Sequence, residues 1–433
     1  MESLFIMKFK KIFILLIILT FIFNLSVSFA DSEFKPEPPE ISAGAAILID
    51  SSTEKVLYSK NENEKMYPAS TTKIMTAILT IENCKLDEVV TVPYEAVASI
   101  PSGYAIAALQ PGEQLTVEQV LKVLLVHSAN DAANVLAYHV SGSIDAFAGL
   151  MNSKVDELGL KNTHFLNPSG MHNENHYTTA YDLAILMKYC MKNNTFRSLA
   201  GLKYCNIPAT NKYEERVFNT TNELLTKTNS SNYYYQYAIA GKTGYTTEAK
   251  NCLVSVANKN DLELICVVLS VGMYPNNLSG KFIDSKTLFE FGYNNYTTRK
   301  IRDKNAIVTQ VDIANGTKET KSLDLLISDD VTALIPQKDL DTEFEPEIQY
   351  SDMLLAPISQ GQILGKVVYN IDGIEYSSNL VASHSVEKSG FSKITIQIFM
   401  IIIILFLLYK LLFGDKKNKK IKKKNKKRKY IEY

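Results

Sequence analysis

Residues 252–271 read CLVSVANKNDLELICVVLSV. Two apolar runs, 252–257 and 262–271, flank Asn258-Lys259-Asn260-Asp261, so the stretch predicts a β-hairpin. The second run is apolar at odd and even positions alike. Such a strand has no face to offer water and belongs in the middle of a sheet, covered by helices. Upstream, residues 43–50 (AGAAILID) form another apolar run, Ser51-Ser52-Thr53 turns the chain, and KVLYSK returns as a second hairpin. Between the hairpins the period changes. Ile74, Ala77, Ile78 and Ile81 fall at i, i+3, i+4 and i+7, and residues 117–126 and 181–191 carry similar stripes. Hairpins at both ends with helices between them predict an α+β domain over 41–296, an antiparallel sheet covered by helices. Residues 297–385 lack helical stripes and are broken by Asn-Gly, Asp-Asp and Asp-Gly, which predicts a small all-β domain. No internal repeat is evident.

The two ends have a different texture. Lys8, Lys10 and Lys11 precede an apolar run, Ile12 to Val27, and Ser28-Phe29-Ala30 supplies small residues where a signal peptidase reads. Residues 1–30 are therefore expected to be a cleaved secretion signal, the other reading being a transmembrane anchor. Pro36, Pro38 and Pro39 mark 31–40 as an extended linker. At the other end 386–393 links to Ile394–Phe413, an apolar segment that spans about 30 Å as a helix, the thickness of a bilayer core. Residues 414–433 then form a basic tail. Basic residues stay cytoplasmic, so the expected topology is a single pass at the cell membrane, with the body extracytoplasmic and the tail inside. The tail is placed to hold anionic lipid headgroups.

The chain has 433 residues and no formal net charge, with 46 Lys+Arg and 46 Asp+Glu. That zero is a cancellation: positions 416–429 alone hold 11 Lys or Arg, leaving an acidic body that does not read as a nucleic-acid binder. Cys84, Cys190, Cys205, Cys252 and Cys266 are widely spaced, odd in number and free of CxxC pairs, which excludes a dense disulfide framework and a Cys-based zinc module.

Three short motifs carry chemistry. Pro68-Ala69-Ser70-Thr71-Thr72-Lys73 opens the first helix, and a Ser and a Lys three apart share one face, so the Lys73 amine can reach the Ser70 hydroxyl. To act as a base Lys73 must be neutral, a shift of about three pKa units worth roughly 4 kcal/mol, which burial and a second cation would supply. Ser128-Ala129-Asn130 lies between two apolar helices. Lys242-Thr243-Gly244 lies on a strand, where a cation and a hydroxyl suit a carboxylate and Gly244 admits a close backbone approach. Taken singly, Ser70 and Ser128 read equally well as helix caps.

In this order, PASTTKIMT, HSANDAA, NPSGMHNENHYTTAYDLA (167–184) and GKTGYT resemble the serine D-Ala-D-Ala carboxypeptidases, the low-molecular-mass penicillin-binding proteins that trim peptidoglycan. The resemblance covers about 41–385 and implies a β-lactamase/transpeptidase-like fold followed by a small β domain. It implies Ser70 as nucleophile, Lys73 as general base and Ser128 as proton relay. Asn130 holds the substrate amide, Lys242 and Thr243 bind the terminal carboxylate, and the amides of Ser70 and Tyr245 form the oxyanion hole. The implied partners are a stem peptide ending in D-Ala-D-Ala and β-lactam antibiotics as covalent inhibitors; no cofactor is implied. Many relatives end in a helix lying on the membrane, whereas this chain reads as spanning it.

Other readings are a serine β-lactamase, or a membrane-anchored protein that binds wall peptide or β-lactam without turnover. A β-lactamase of this lineage needs a loop Glu in an E-x-x-L-N pattern. Glu157-Leu158-Gly159-Leu160-Lys161-Asn162 is off by one, and Glu157 is expected to be a solvated residue at a helix end. His172 and His176 with Glu174 between them resemble a metal site only faintly, and HNENH after Pro-Ser-Gly is expected to be a loop.

Overall fold

The computed structural model describes residues 35–227, 233–275, 278–390 and 393–428. The expected signal segment, residues 31–34 of the first linker and the last five residues of the tail lie outside these. The chain divides into two compact units. One holds the described residues up to Arg299 with Ala333–Glu343 and Ile371–Ile374, and the other holds Lys300–Thr332, Phe344–Asn370 and the remainder from Glu375.

The first unit is built on a five-stranded antiparallel sheet of β1 (Ala45–Asp50), β2 (Val56–Lys60), β3 (Ala238–Thr246), β4 (Lys250–Lys259) and β5 (Leu262–Val271), in the order β2-β1-β5-β4-β3. The hairpin of β4 and β5 turns on Asn260 and Asp261, both at positive φ (52° and 64°), the conformation that two-residue hairpin turns require. Strand β5 occupies the centre. Its Ile265, Val267 and Leu269 enter the main apolar cluster, while Leu264, Cys266 and Val268 are just as fully buried on the opposite face. The doubly apolar pattern thus reflects a strand with a layer on each side.

Helices α1 (Lys73–Asn83), α2 (Val117–Val126), α3 (Asn130–Ser141), α4 (Ile144–Glu157) and α5 (Ala180–Met191) supply the larger layer, and α6 (Gly280–Asn295) packs on β4 and β5 from the other side. Ile74, Ala77 and Ile78 of α1 are buried in the cluster and Ile81 packs on it, so the apolar stripe marks the packed face. A capping box between Thr116 and Gln119 fixes the start of α2. The sheet edge at β3 and the starts of α1 and α3 are the parts that carry the three motifs.

The second unit contains β6 (Ile307–Asp312), β7 (Ser322–Ile327), β8 (Glu347–Tyr350), β9 (Ile363–Ile371) and β10 (Ile374–Ala382) in one sheet of order β6-β7-β10-β9-β8. Burial alternates along β7, as in a strand with one covered face. Helix α7 (Lys393–Arg428) follows; Thr395–Leu412 is long and apolar enough to cross a membrane, and its apolar side chains are exposed. The helix does not stop where the apolar segment ends but continues 16 residues further into the basic stretch, because Lys and Arg are good helix formers and no proline intervenes.

Candidate active site

Ser70 sits in a single 3-10 turn, Ala69–Thr72, immediately ahead of α1. Neither this turn nor α1 has a side-chain cap, and α3 starts at Asn130 without one, so the cap readings of Ser70 and Ser128 are not realised. Ala69 is in the left-handed region (φ 47°), and so is Ser128 (φ 65°). Non-glycine residues held there store strain, which the surrounding packing must hold in place.

Lys73 is fully buried. Its Nζ is 2.8 Å from Ser70 Oγ, 2.7 Å from Asn130 Oδ1 and 2.6 Å from the Ser169 carbonyl oxygen. As an ammonium it donates to all three. As a neutral amine it has two N–H bonds and one lone pair; the two carbonyl oxygens take the N–H bonds, and the lone pair faces the Ser70 hydroxyl, which then donates. Burial is the main cause that pushes the Lys73 amine well below its usual range; nearby Lys242 adds to the shift and Asp131 opposes it. These are the two causes the sequence reading required, and the second cation is the lysine of the third motif.

The third contact of Lys73 comes from a segment to which the motifs gave no role. Asn167 Oδ1 accepts from the backbone N–H of Ser169, Gly170 and Met171, a local turn that aims the Ser169 carbonyl at Lys73. The Pro168 carbonyl accepts from Thr76 Oγ1 at 2.6 Å. Gly170, at φ 82°, lies so close that a Cβ on it would fall 1.8 Å from the Ala69 carbonyl oxygen. This loop is a wedge against the Ser70 turn, and only glycine fits at its tip. His176, behind it, shares a 2.9 Å bond with Thr72 Oγ1 and accepts from Leu166 N–H. Burial first, then His164, His172 and Lys73, depress His176 to about 3, so it is a neutral ring with both nitrogens engaged. Residues 171–175 have no helix, as expected of a loop.

Across the cleft, Lys242 on β3 is buried and donates to Ser128 Oγ at 2.7 Å and to the Thr243 carbonyl at 2.8 Å. Burial, then Lys281, lowers it to about 7. Thr243 Oγ1 lies 2.6 Å from Thr221 Oγ1. Gly244 makes room for something other than was expected of it. A Cβ there would stand 3.0 Å from Pro68 O and from Ser70 N, so in this structure the glycine admits the Ser70 turn itself. The Ser70 amide is thereby set beside the residue that precedes Tyr245, whose own side chain is largely exposed. Asn130 N–H donates to Ala105 O, and the buried Asp131 carboxylate accepts from the N–H groups of Ala107 and Leu109, tying the second motif to the loop above it.

All eight candidate residues come from one unit. Ser70, Ser128, Asn130, Thr243, Gly244 and Tyr245 line a single cleft of about 510 Å³ together with Tyr104, Thr221, Glu248 and Lys281, while Lys73 and Lys242 are buried behind its wall. Thr221 and Lys281 belong to none of the three motifs. Lys281 lies on α6, far from any motif, and donates to Asn251 Oδ1 at 2.9 Å. Glu157 ends α4, is 58% exposed and pairs with Lys154, as expected of a solvated helix end.

A family model for D-alanyl-D-alanine carboxypeptidases (Peptidase S11) matches residues 32–272. The chain belongs to the D-alanyl-D-alanine carboxypeptidase family. A second model, for the C-terminal domain of penicillin-binding protein 5, matches residues 296–388. A D-alanyl-D-alanine carboxypeptidase of Bacillus subtilis is 34% identical over 357 residues, covering 81% of this chain and 87% of its own. One from Haemophilus influenzae is 30% identical over 377 residues, covering 84% and 90%. The crystal structure of penicillin-binding protein 5 from Haemophilus influenzae superposes with a TM-score of 0.65 at 28% identity, over 82% of this chain and all of that one.

Proposed function

We propose that this carboxypeptidase removes the terminal D-Ala from peptidoglycan stem peptides through an acyl-Ser70 intermediate. The observation that carries the reading is the surroundings of Lys73, whose Nζ is within hydrogen-bond distance of two carbonyl oxygens and the Ser70 hydroxyl, so that once the amine is neutral its lone pair is left for Ser70. Lys73 takes the Ser70 proton while Oγ bonds to the penultimate D-Ala carbonyl carbon. The oxyanion that forms is met by the amides of Ser70 and Tyr245. Ser128, in contact with Lys242, passes its hydroxyl proton to the departing nitrogen and takes in its place the proton that Lys73 carries, which leaves Lys73 neutral again; the C–N bond breaks and D-Ala leaves. Water, deprotonated toward Lys73, then cleaves the ester and restores the hydroxyl. Lys242 and Thr243 hold the terminal carboxylate by charge-assisted hydrogen bonds, and Asn130 holds both Lys73 and the substrate amide.

β-Lactams enter the same cycle and stop in it. Glu157, the glutamate that stands nearest to the β-lactamase pattern, is exposed and paired with Lys154 rather than held over the acyl bond. A protein that only bound wall peptide would have no use for a buried base in contact with a nucleophile. Full-length protein in detergent is expected to release D-Ala from diacetyl-Lys-D-Ala-D-Ala over many turnovers and to form one long-lived penicilloyl adduct visible by intact mass. Ser70→Ala abolishes both while the fold is retained. Unmodified protein beside fully hydrolysed penicillin would establish the β-lactamase reading instead.

Helix α7 is the membrane anchor in this proposal, with the catalytic unit outside and the basic tail in the cytoplasm. Protease added to spheroplasts is expected to spare a C-terminal epitope while digesting the body; loss of the epitope overturns the orientation.

A further inference from the structure

We propose that Cys84, Glu88 and His139 form a zinc site at the far ends of the two helices that carry the catalytic lysine and asparagine. One ligand atom from each, the Cys84 thiol sulfur, a Glu88 carboxylate oxygen and a His139 ring nitrogen, lies within 4.8 Å of the other two. His139 Nε2 and Glu88 Oε1 are already 3.0 Å apart. Ligand atoms around tetrahedral zinc stand roughly 3.5 Å from one another, given bonds of about 2.0–2.3 Å. The longest separation in the cluster therefore needs to close by no more than about 1.3 Å, within reach of side-chain rotation.

Three parts of the fold converge there. Cys84 follows α1 and its N–H closes the last turn on Thr80 O. Glu88 stands in the short connection that leads to Val89–Thr91. His139 is in the last turn of α3. Two helix C-termini, α1 at Asn83 and α3 at Ser141, thus end beside the cluster, and the negative ends of their dipoles favour a cation. None of the three side chains is sealed from solvent; that of Glu88 is 46% exposed and that of His139 19%, so an ion can enter and keep a water as its fourth ligand.

The donor set selects the metal. A thiolate with an imidazole and one carboxylate suits zinc, whereas magnesium and calcium seek all-oxygen shells. On binding, the thiol proton leaves to solvent and a sulfur–zinc bond forms; nothing is oxidised or reduced. Helix α1 begins at Lys73 and α3 at Asn130, so the ion would clamp these helices about 15 Å from the cleft, at 1.5 Å of rise per residue. It would hold the base and its partner in register without touching substrate.

The test uses full-length, untagged, metal-stripped protein in detergent, titrated with zinc against a chromophoric chelator. One zinc per chain is expected, and Cys84→Ser and His139→Ala should each weaken it by more than about tenfold, a loss that even changes outside the ligand shell can produce. Cobalt should give a thiolate-to-metal charge-transfer band that Cys84→Ser removes. Zinc should raise the unfolding temperature of the parent and of neither variant, and both variants should still release D-Ala, which shows that they fold. Absence of stoichiometric zinc, or zinc binding that both variants leave undiminished, would reduce the cluster to a His–Glu pair beside a thiol and overturn the proposal.

Discussion

The two sides of the cleft each hold one buried lysine, and they treat it differently. Lys73 is enclosed by three polar atoms, two of them carbonyl oxygens, with a loop wedged behind it. Lys242 touches one hydroxyl and one carbonyl, and Lys281 presses on it from the cleft. Both amines are pushed down, chiefly by burial. The partners decide what that shift is for. A lysine whose N–H bonds are consumed by carbonyls and whose lone pair meets a hydroxyl is arranged to be neutral. A lysine with a donor to spare and another cation nearby is a charge awaiting an anion. Desolvation alone is therefore a poor guide to role.

The comparison is most severely tested by Gly170→Ala. The added Cβ cannot coexist with the Ala69 carbonyl, so the wedge must withdraw and take the Ser169 carbonyl from Lys73. A displacement of that size should lower D-Ala release by about 100-fold or more and stability by roughly 2–3 kcal/mol. Penicillin acylation should fall in parallel, because both reactions need the same base. Stopped-flow acylation and denaturant unfolding measure the two effects; a loss confined to carboxylate-bearing substrates would erase the distinction between the sides.

Next in size is Lys242→Ala. A charge-assisted bond in a partly dry site is worth roughly 1.5–3 kcal/mol, so kcat/KM for the D-Ala-D-Ala peptide should drop about 10–150-fold. The C-terminal amide of the same peptide should lose far less. Equal losses would remove Lys242 from carboxylate binding.

The smallest effect is in pH dependence. In the proposed mechanism Lys73 works neutral, so its contribution disappears as pH falls and it gains a proton. Lys242 works charged, so its contribution disappears as pH rises through its value of about 7. The profile of kcat/KM for the carboxylate substrate should be bell-shaped, with the pair titrating jointly. Because Lys281 is a cation that depresses Lys242, Lys281→Met should move the descending limb to higher pH. A limb that stays in place would show that Lys281 is not felt across the cleft.

Much of this was legible because it is written in local pattern. The doubly apolar run 262–271 announced a central strand, the stripe from Ile74 announced α1, and the spacing of Ser70 and Lys73 announced their contact. What was hidden shares one property: it is made by backbone atoms or by residues with no fixed spacing. The Ser169 carbonyl has no side-chain signature, and the turn around Asn167 could be read only as a turn. Lys281 and Thr221 reach the cleft from elements whose placement depends on the whole sheet. Gly244 was noticed, but a glycine in a strand does not disclose which neighbour it admits, and here it admits the Ser70 turn. Composition marks where the apolar segment ends, whereas helical propensity carries α7 on through the basic stretch.

The wedge also has a bearing on when the molecule becomes reactive. Lys73 and Ser169 are 96 positions apart in the chain. A nascent or half-folded chain in which α1 has formed carries a serine next to an ordinary solvated, protonated lysine, and that pair attacks nothing. In the proposed mechanism Ser70 becomes a nucleophile only when burial and Lys242 have pushed the Lys73 amine down, so its reactivity belongs to the finished tertiary structure and not to the motif. The enzyme is in this sense born inert, and a fluorescent penicillin added during refolding would count completed molecules and ignore every intermediate before them.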